Sequence, residues 1–350
     1  MEKSFLIYGA NGYTGELITR YAAERGMKPI LAGRNEAAVR KLAEKHGLDH
    51  RVFSLDETAK LDAALSEVDL VLNCAGPFSI TARPMVEACI RNKRHYTDIT
   101  GEISVFEACA AMNKKAKAAG VMVMPGVGFD VVPSDCLAKH LKDRLPTATH
   151  LSLAFYGMGR ISHGTQATMT MNVGRGGAIR ENGKITPVPA AWKTRKIDFG
   201  EGVVKTGVTI PWGDVSTAFY STGIPNIEVF TVAPASAVKM MKLSRYLGWL
   251  LATGPVQKYL QSKIPPGGPS DEERAKGNTL LWGEARDAEG NRVEARQQGP
   301  EGYTTTALAA LNIAEKILEG NYSPGFQTPA KAYGADLVLE IEGVFREDIG

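Results

Sequence analysis

Phe5-Leu6-Ile7-Tyr8-Gly9-Ala10-Asn11-Gly12-Tyr13-Thr14-Gly15 decides the fold of this chain. A short apolar run leads into a glycine-rich turn, after which Leu17, Ile18, Tyr21 and Ala22 recur at helical spacing. The order is strand, turn, helix. In such a unit one glycine permits the tight bend, one lets the backbone approach a pyrophosphate, and one lets the helix pack on the strand. The amides at the helix start then form an anion site. Gly9, Ala10, Asn11, Gly12, Tyr13, Thr14 and Gly15 are therefore expected to bind a dinucleotide.

The next elements extend this unit into a domain. Lys28–Arg34 reads as a second strand, ending where a dinucleotide fold meets the adenosine ribose. An acid there binds the 2′-hydroxyl of NAD, whereas an arginine accommodates the 2′-phosphate of NADP. Gly33 and Arg34 occupy that place, which favours NADP, the alternative being that Arg34 is a solvated loop charge. A helix over 36–47, a strand near 51–53 and a helix over 58–65 precede the apolar run Val68–Asn73, which has the character of a buried parallel strand. Asn73, Cys74, Ala75, Gly76 and Pro77 follow at its carboxyl end, where small residues let a cofactor lie against backbone. A helix over 81–92, a strand over 95–98, further helix to about 119 and a strand over 121–124 complete the alternation.

The rhythm changes after the crossover Gly126-Val127-Gly128-Phe129-Asp130-Val131-Val132-Pro133-Ser134-Asp135. Alternating patterns at 151–156, 203–210 and 227–232, and a hairpin joining 280–286 to 292–296, indicate an antiparallel sheet. The expected fold class is α/β: a Rossmann-like doubly wound parallel sheet with a second α+β domain built on a mainly antiparallel sheet. The expected division is residues 1–128, 129–323 and a carboxyl-terminal segment 324–350, in which 337–341 forms a strand returning to one of the two sheets.

The 350 residues carry a formal charge of only +3, too dispersed for a nucleic-acid-binding face. Cys74, Cys89, Cys109 and Cys136 form no metal-ligand pattern, so no metal is expected. The initial apolar run is too short for a signal segment and passes straight into the glycine turn, giving a cytoplasmic expectation. Residues 238–264 hold Lys239, Lys242, Arg245, Lys258 and Lys263 with no acid, alongside Met240, Leu243, Trp249 and Leu250. That segment is either a core helix with solvated lysines or a surface that meets lipid. A homodimer is expected from symmetry preference alone.

GANGYTG, NCAGPF at 73–78, HYTDITGE at 95–102 and GVGFDVVPSD at 126–135 together resemble the saccharopine dehydrogenase-like NADP-binding oxidoreductases. STGIPNIEVF, RAKGNTLLWGEARD, PEGYTTTALAALNIAEKIL and TPAKAYG extend the resemblance through the carboxyl half, towards the branch that includes trans-acting enoyl reductases. The resemblance implies NADP as cofactor, held at residues 9–15 and Arg34, with Ala75–Pro77 along the nicotinamide path. It identifies no proton donor.

Asp98, Glu102, His163 and Tyr303 are the candidates for that proton, each with a structural alternative as cap, first-turn acid, surface residue or core residue. A short-chain dehydrogenase is excluded, because its Tyr and Lys four apart occur only as Tyr259 and Lys263, outside the nucleotide domain. Three functions remain. One is reduction of a C=C or C=N bond in a small-molecule or acyl substrate, with an enoyl or lipid-like thioester favoured. A second is amino-acid imine reduction, for which a dicarboxylate product would need converging arginines among Arg160, Arg175, Arg180 and Arg195. The third is a non-catalytic NADP-binding or partner-binding protein. If Arg34 pairs with the 2′-phosphate, calorimetry will show NADPH binding tighter than NADH, and Arg34→Ala will erase about 10- to 100-fold of that preference. An unchanged preference in the variant would remove Arg34 from the site.

Overall fold

The computed structural model describes residues 4–157, 159–172, 176–251, 253–264 and 267–349. Arg175 lies outside them, as do the side chains of Trp249 and Leu250. In chain order the first elements are β1 (Phe5–Tyr8), α1 (Tyr13–Glu24), β2 (Ile30–Gly33), α2 (Glu36–His46), β3 (His50–Val52), α3 (Thr58–Ser66), β4 (Leu70–Asn73), α4 (Phe78–Asn92), β5 (His95–Asp98), α5 (Ile103–Ala111), α6 (Asn113–Ala118), β6 (Met122–Met124) and α7 (Val132–Arg144). There follow β7 (His150–Tyr156), α8 (His163–Asn172), β8 (Gly177–Glu181), β9 (Lys184–Val188), β10 (Thr194–Asp198), β11 (Val204–Thr209), α9 (Asp214–Thr222), β12 (Asn226–Val232), α10 (Ala235–Leu251) and α11 (Gly254–Ser262). The last are α12 (Asp271–Lys276), β13 (Asn278–Arg286), β14 (Arg292–Pro300), α13 (Gly302–Leu318), β15 (Gly325–Phe326), α14 (Pro329–Tyr333), a 3-10 turn (Ala335–Glu340) and β16 (Phe345–Ile349).

The first sheet is parallel, in the order β15-β6-β5-β4-β1-β2-β3. Every residue of β1 and β4 is buried, as continuous apolar runs in a sheet covered on both faces require. Strand order reverses between β1 and β4, the place where open α/β sheets bind ligands. Register then sets the site, because Tyr8 lies opposite both Ala32 and Asn73, and Asn73 lies opposite Asp98. Gly9, Gly33 and Cys74 consequently leave the sheet side by side.

The chain forms two compact units, Met1–Val132 with Tyr303–Ala332 and Pro133–Gly302 with Tyr333–Gly350. Long α13 counts with the nucleotide domain: Arg25 bonds Asn312 at 2.9 Å and pairs with Glu315 at 3.3 Å, while Thr306 Oγ1 accepts the Phe129 amide at 3.0 Å. The carboxyl-terminal segment serves both sheets, since β15 extends β6 and β16 pairs with β14. The strand expected at 337–341 is a 3-10 turn instead. Adjacent Leu337 and Val338 are both buried, which an alternating one-sided strand does not allow. Helix α4 begins at Phe78 rather than at Thr81.

The second sheet runs β10-β11-β12-β7-β13-β14-β16, with β8 joining β12 and β9. Every pair is antiparallel except β12 with β7. The expected hairpin is present, with Arg286 opposite Arg292 and the Asp287 carboxylate accepting the Glu289 and Asn291 amides. Helix α7 packs on this sheet over Gly283, where an added Cβ would stand 2.6 Å from Leu141 and 3.2 Å from Leu137. Gly283→Val is expected to destabilise the protein by about 1–3 kcal/mol through overpacking, measured by urea unfolding. An unchanged midpoint would show that α7 does not depend on this close approach.

Candidate functional site

The turn after β1 is shaped by neighbours that exclude side chains. Gly9 has φ +81°, and a Cβ there would stand 2.8 Å from the Ala75 nitrogen, so the β1 and β4 turns touch through backbone. A Cβ on Gly15 would stand 2.9 Å from Ala10 Cα, which lets α1 start against the strand end. Gly12 is the extended N-cap of α1 and donates its amide to Gly9 O at 3.0 Å. Asn11 and Gly12 are exposed, and Tyr13 and Thr14 are half-buried. The amides at the start of α1 are oriented for an anion.

Asn11 also reaches the adenosine side of the site. A Cβ on Gly33 would stand 2.9 Å from Asn11 Oδ1 and 3.1 Å from Val39 Cγ2, so glycine lets the Asn11 side chain lie against the end of β2. Arg34 follows, exposed and without an ion pair among the described residues. Its charge reaches the buried Tyr8 hydroxyl, whose pKa is raised by burial and partly lowered again by Arg34. The glycine cradle and the exposed guanidinium, which has the Asp56 carboxylate within electrostatic reach but no ion pair among the described residues, fit a dinucleotide carrying a 2′-phosphate.

On the other side, Asn73 to Pro77 shape the loop after β4. Asn73 Oδ1 accepts the Ala75 amide at 3.0 Å, and its Nδ2 donates to Tyr96 Oη at 3.3 Å and Thr81 Oγ1 at 3.4 Å. Cys74 donates its amide to Tyr8 O at 2.7 Å. Burial, with a contribution from Asp98, pushes the Cys74 thiol well above its ordinary value, so it is no thiolate. Ala75 is small enough to lie against Gly9, and Gly76 is exposed. Asn73 and Cys74 thus pin the loop, and Ala75, Gly76 and Pro77 form its surface.

The sequence-based candidates for a proton donor divide sharply. Asp98 is fully buried, and its carboxylate accepts Tyr96 Oη at 2.7 Å, the Thr100 amide at 3.0 Å and the Gly126 amide at 2.9 Å. Burial raises its pKa to about 6 against those three hydrogen bonds. These three donors tie it to the fold. Glu102 accepts the amides of Phe78 at 2.8 Å and Ser79 at 3.2 Å, so it caps α4 rather than its own helix. His163 is exposed at the start of α8 in the other unit. Tyr303, in the first turn of α13, lies edge-on to Tyr13 with ring centroids 5.0 Å apart, beside the glycine turn.

Asp130 is the acid not anticipated as a candidate. Its Oδ2 stands 2.5 Å from where a Cβ of Gly101 would be, which places it against the loop after β5. Crowding by protein raises its pKa to about 7, and its carboxyl group has no hydrogen-bond or ion-pair partner among the described residues. Its neighbours Val127, Phe129, Val131 and Val132 are all buried. A lone acid inside an apolar, glycine-punctuated run was the available signal.

Of the arginines named for a dicarboxylate site, the three among the described residues are each engaged by separate partners. Arg180 donates to Val215 O and Gly183 O, both at 2.7 Å, while Arg160 is 3.8 Å from Glu273. Arg195 forks onto Glu284 at 3.0 and 2.6 Å. Arg286 and Arg292 also approach Glu284, and the three cations hold its carboxyl low against the opposing effect of burial. No group of His, Cys, Asp and Glu among the described residues could hold a metal ion. No described helix is long and apolar enough to cross a membrane.

Residues 5–124 match the family described as saccharopine dehydrogenase NADP binding domain. A human saccharopine dehydrogenase-like oxidoreductase is 28% identical over 150 residues, covering 37% of this chain and 35% of the relative. A trans-acting enoyl reductase of Mycobacterium leprae is 30% identical over 142 residues, covering 38% and 34%. The alignments therefore span about a third of these relatives' lengths. The solved saccharopine dehydrogenase (L-Glu forming) of Saccharomyces cerevisiae superposes with a TM-score of 0.69 at 12% identity, covering 99% of this chain and 100% of that one. That likeness concerns the fold.

Glu102→Gln is expected to cost about 1 kcal/mol by weakening the α4 cap, read as a lower melting temperature. The pH profile of turnover should keep its shape, and a lost titration in this variant would return Glu102 to the list of proton donors.

Proposed function

We propose, from the match of residues 5–124 to the saccharopine dehydrogenase NADP binding domain family and with NADP as the cofactor, that the protein is an NADPH-dependent reductase of C=C or C=N bonds, with an enoyl or lipid-like thioester as the favoured substrate. Residues 9–15 and Arg34 would hold the pyrophosphate and 2′-phosphate, with Ala75–Pro77 along the nicotinamide side. Bound NADPH supplies a hydride. The reduction also requires a proton.

Asp130 carries this proposal. A carboxyl group with a pKa of about 7 is largely protonated just below neutrality, where an ordinary aspartic acid has lost its proton. It stands against Gly101 in the same unit as the glycine turn, on the loop that follows β6. Asp98 and Glu102 hold their hydrogen bonds to the fold, and the lack of such a partner for the Asp130 carboxyl group among the described residues supports it as the acid that gives a proton to substrate.

Two observations favour a thioester over a dicarboxylate. The separate engagements of Arg160, Arg180 and Arg195 offer no paired cationic site for two carboxylates. Near Pro77, α4 presents half-buried Phe78 and 66%-exposed Ile80, an apolar lip suited to an acyl chain. The relative named as an enoyl reductase supports the same class.

In NADPH-consumption assays with enoyl thioesters, turnover should be highest below about pH 7 and fall as Asp130 loses its proton. Asp130→Asn should lower turnover by about 100-fold or more and remove that fall. Stability gives an independent sign. The folded pKa of about 7 exceeds the ordinary 3.8, so this group's contribution declines as pH rises between those values and is flat above them. Asp130→Asn should remove that decline. Full activity in the variant would eliminate Asp130 as the donor, and absence of NADPH oxidation with both thioesters and oxo acid–amine pairs would eliminate the reductase.

A further inference from the structure

Residues 229–270 contain no Asp or Glu, but hold Lys239, Lys242, Arg245, Lys258 and Lys263. Helices α10 and α11 fall within them. Arg245 orients α10: its guanidinium donates to Ala190 O and Ala191 O, both at 2.7 Å. Leu243 lies about half a helical turn round from it, on the outward side. There the chain exposes Met240 at 66%, Leu243 at 50% and Tyr246 at 77%, spaced three apart on one face. Helix α11 has no buried residue and exposes Tyr259 at 62%. Four of the eleven large apolar side chains exposed among the described residues thus fall between 240 and 259.

We propose that α10 and α11 form a docking surface for an anionic phospholipid membrane. Lys239, Lys242, Lys258 and Lys263 are exposed and meet no acid among the described residues; Lys263 sits 5.4 Å over the Tyr259 ring. Their charge is therefore uncompensated. Long lysine stems let the apolar side chains enter the acyl boundary while the ammonium groups stay with lipid headgroups. Scattered exposed apolar residues are ordinary, but a row rimmed by unpaired cations marks an interaction surface. The exposed Met and Leu favour lipid over nucleic acid, which would be read through charge and aromatic stacking. Neither helix is long and apolar enough to cross a bilayer, so the attachment is peripheral. This inference does not depend on the reductase reading.

The test is cosedimentation of the full chain with vesicles of phosphatidylcholine alone or mixed with phosphatidylserine. Binding should require phosphatidylserine and weaken with salt. Lys239→Glu with Lys242→Glu should reduce it by at least about fivefold per lysine. Leu243→Ser with Tyr246→Ser should also reduce it, at unchanged charge. Circular dichroism and the melting temperature report that each variant is folded. Equal binding to the two vesicle types, or either variant binding as wild type, would overturn the proposal. Binding lost with the lysines but retained without Leu243 and Tyr246 would identify a general polyanion surface and overturn it as well. So would self-association through Tyr246 with no vesicle binding.

Discussion

The buried carboxylate of Asp98 holds together the end of the parallel sheet at which the site is built. Three donors converge on it, from Tyr96, Thr100 and Gly126, and its carbonyl oxygen accepts the Val127 amide at 2.7 Å. Two loops are fastened by one side chain. The loop after β5 carries Gly101 and Glu102, and the loop after β6 carries Asp130. A carboxylate this deep is costly unless hydrogen-bonded, and the two backbone amides and the phenol meet that requirement. Tyr96 relays the same constraint to Asn73, which shapes the turn after β4.

This arrangement divides three acids in one neighbourhood into different roles. Asp98 is saturated with hydrogen bonds, and Glu102 is committed to the amides that open α4. Asp130 is crowded by protein but receives no compensating donor, and the consequence is its pKa of about 7. Helix α13 supports the same loop from a distant part of the sequence. Thr306 takes the Phe129 amide and fills the space that a side chain at Gly128 would need.

The second unit shows the opposite use of charge. Glu284 draws three arginines onto one side of β13, and Arg195 also lies 4.5 Å over the Trp282 ring. Those cations are internally satisfied. The lysines of α10 and α11 have no such partners, because acid is absent from 229–270 and the nearby sheet supplies none to them. Uncompensated charge beside exposed apolar side chains distinguishes these helices from the rest of the unit.

Local pattern was enough for the nucleotide half. Apolar runs at 5–8 and 70–73 encode strands buried on both faces, and Gly9 and Gly15 encode a turn with no room for side chains at those positions, so fold and cofactor were legible. The β8–β9 hairpin was also legible but unread, since Asn182-Gly183, both at positive φ, is the usual two-residue turn. Other features depend on partners far away in the chain: the α4 cap supplied by Glu102, the assignment of α13 to the first unit, and the 3-10 turn at 335–340. By itself the sequence determined a parallel dinucleotide-binding sheet and an acid-free basic segment. Tertiary structure alone decided which acid is raised furthest above its ordinary pKa and which side of α10 faces out, because both follow from burial and hydrogen-bond partners brought together across the chain.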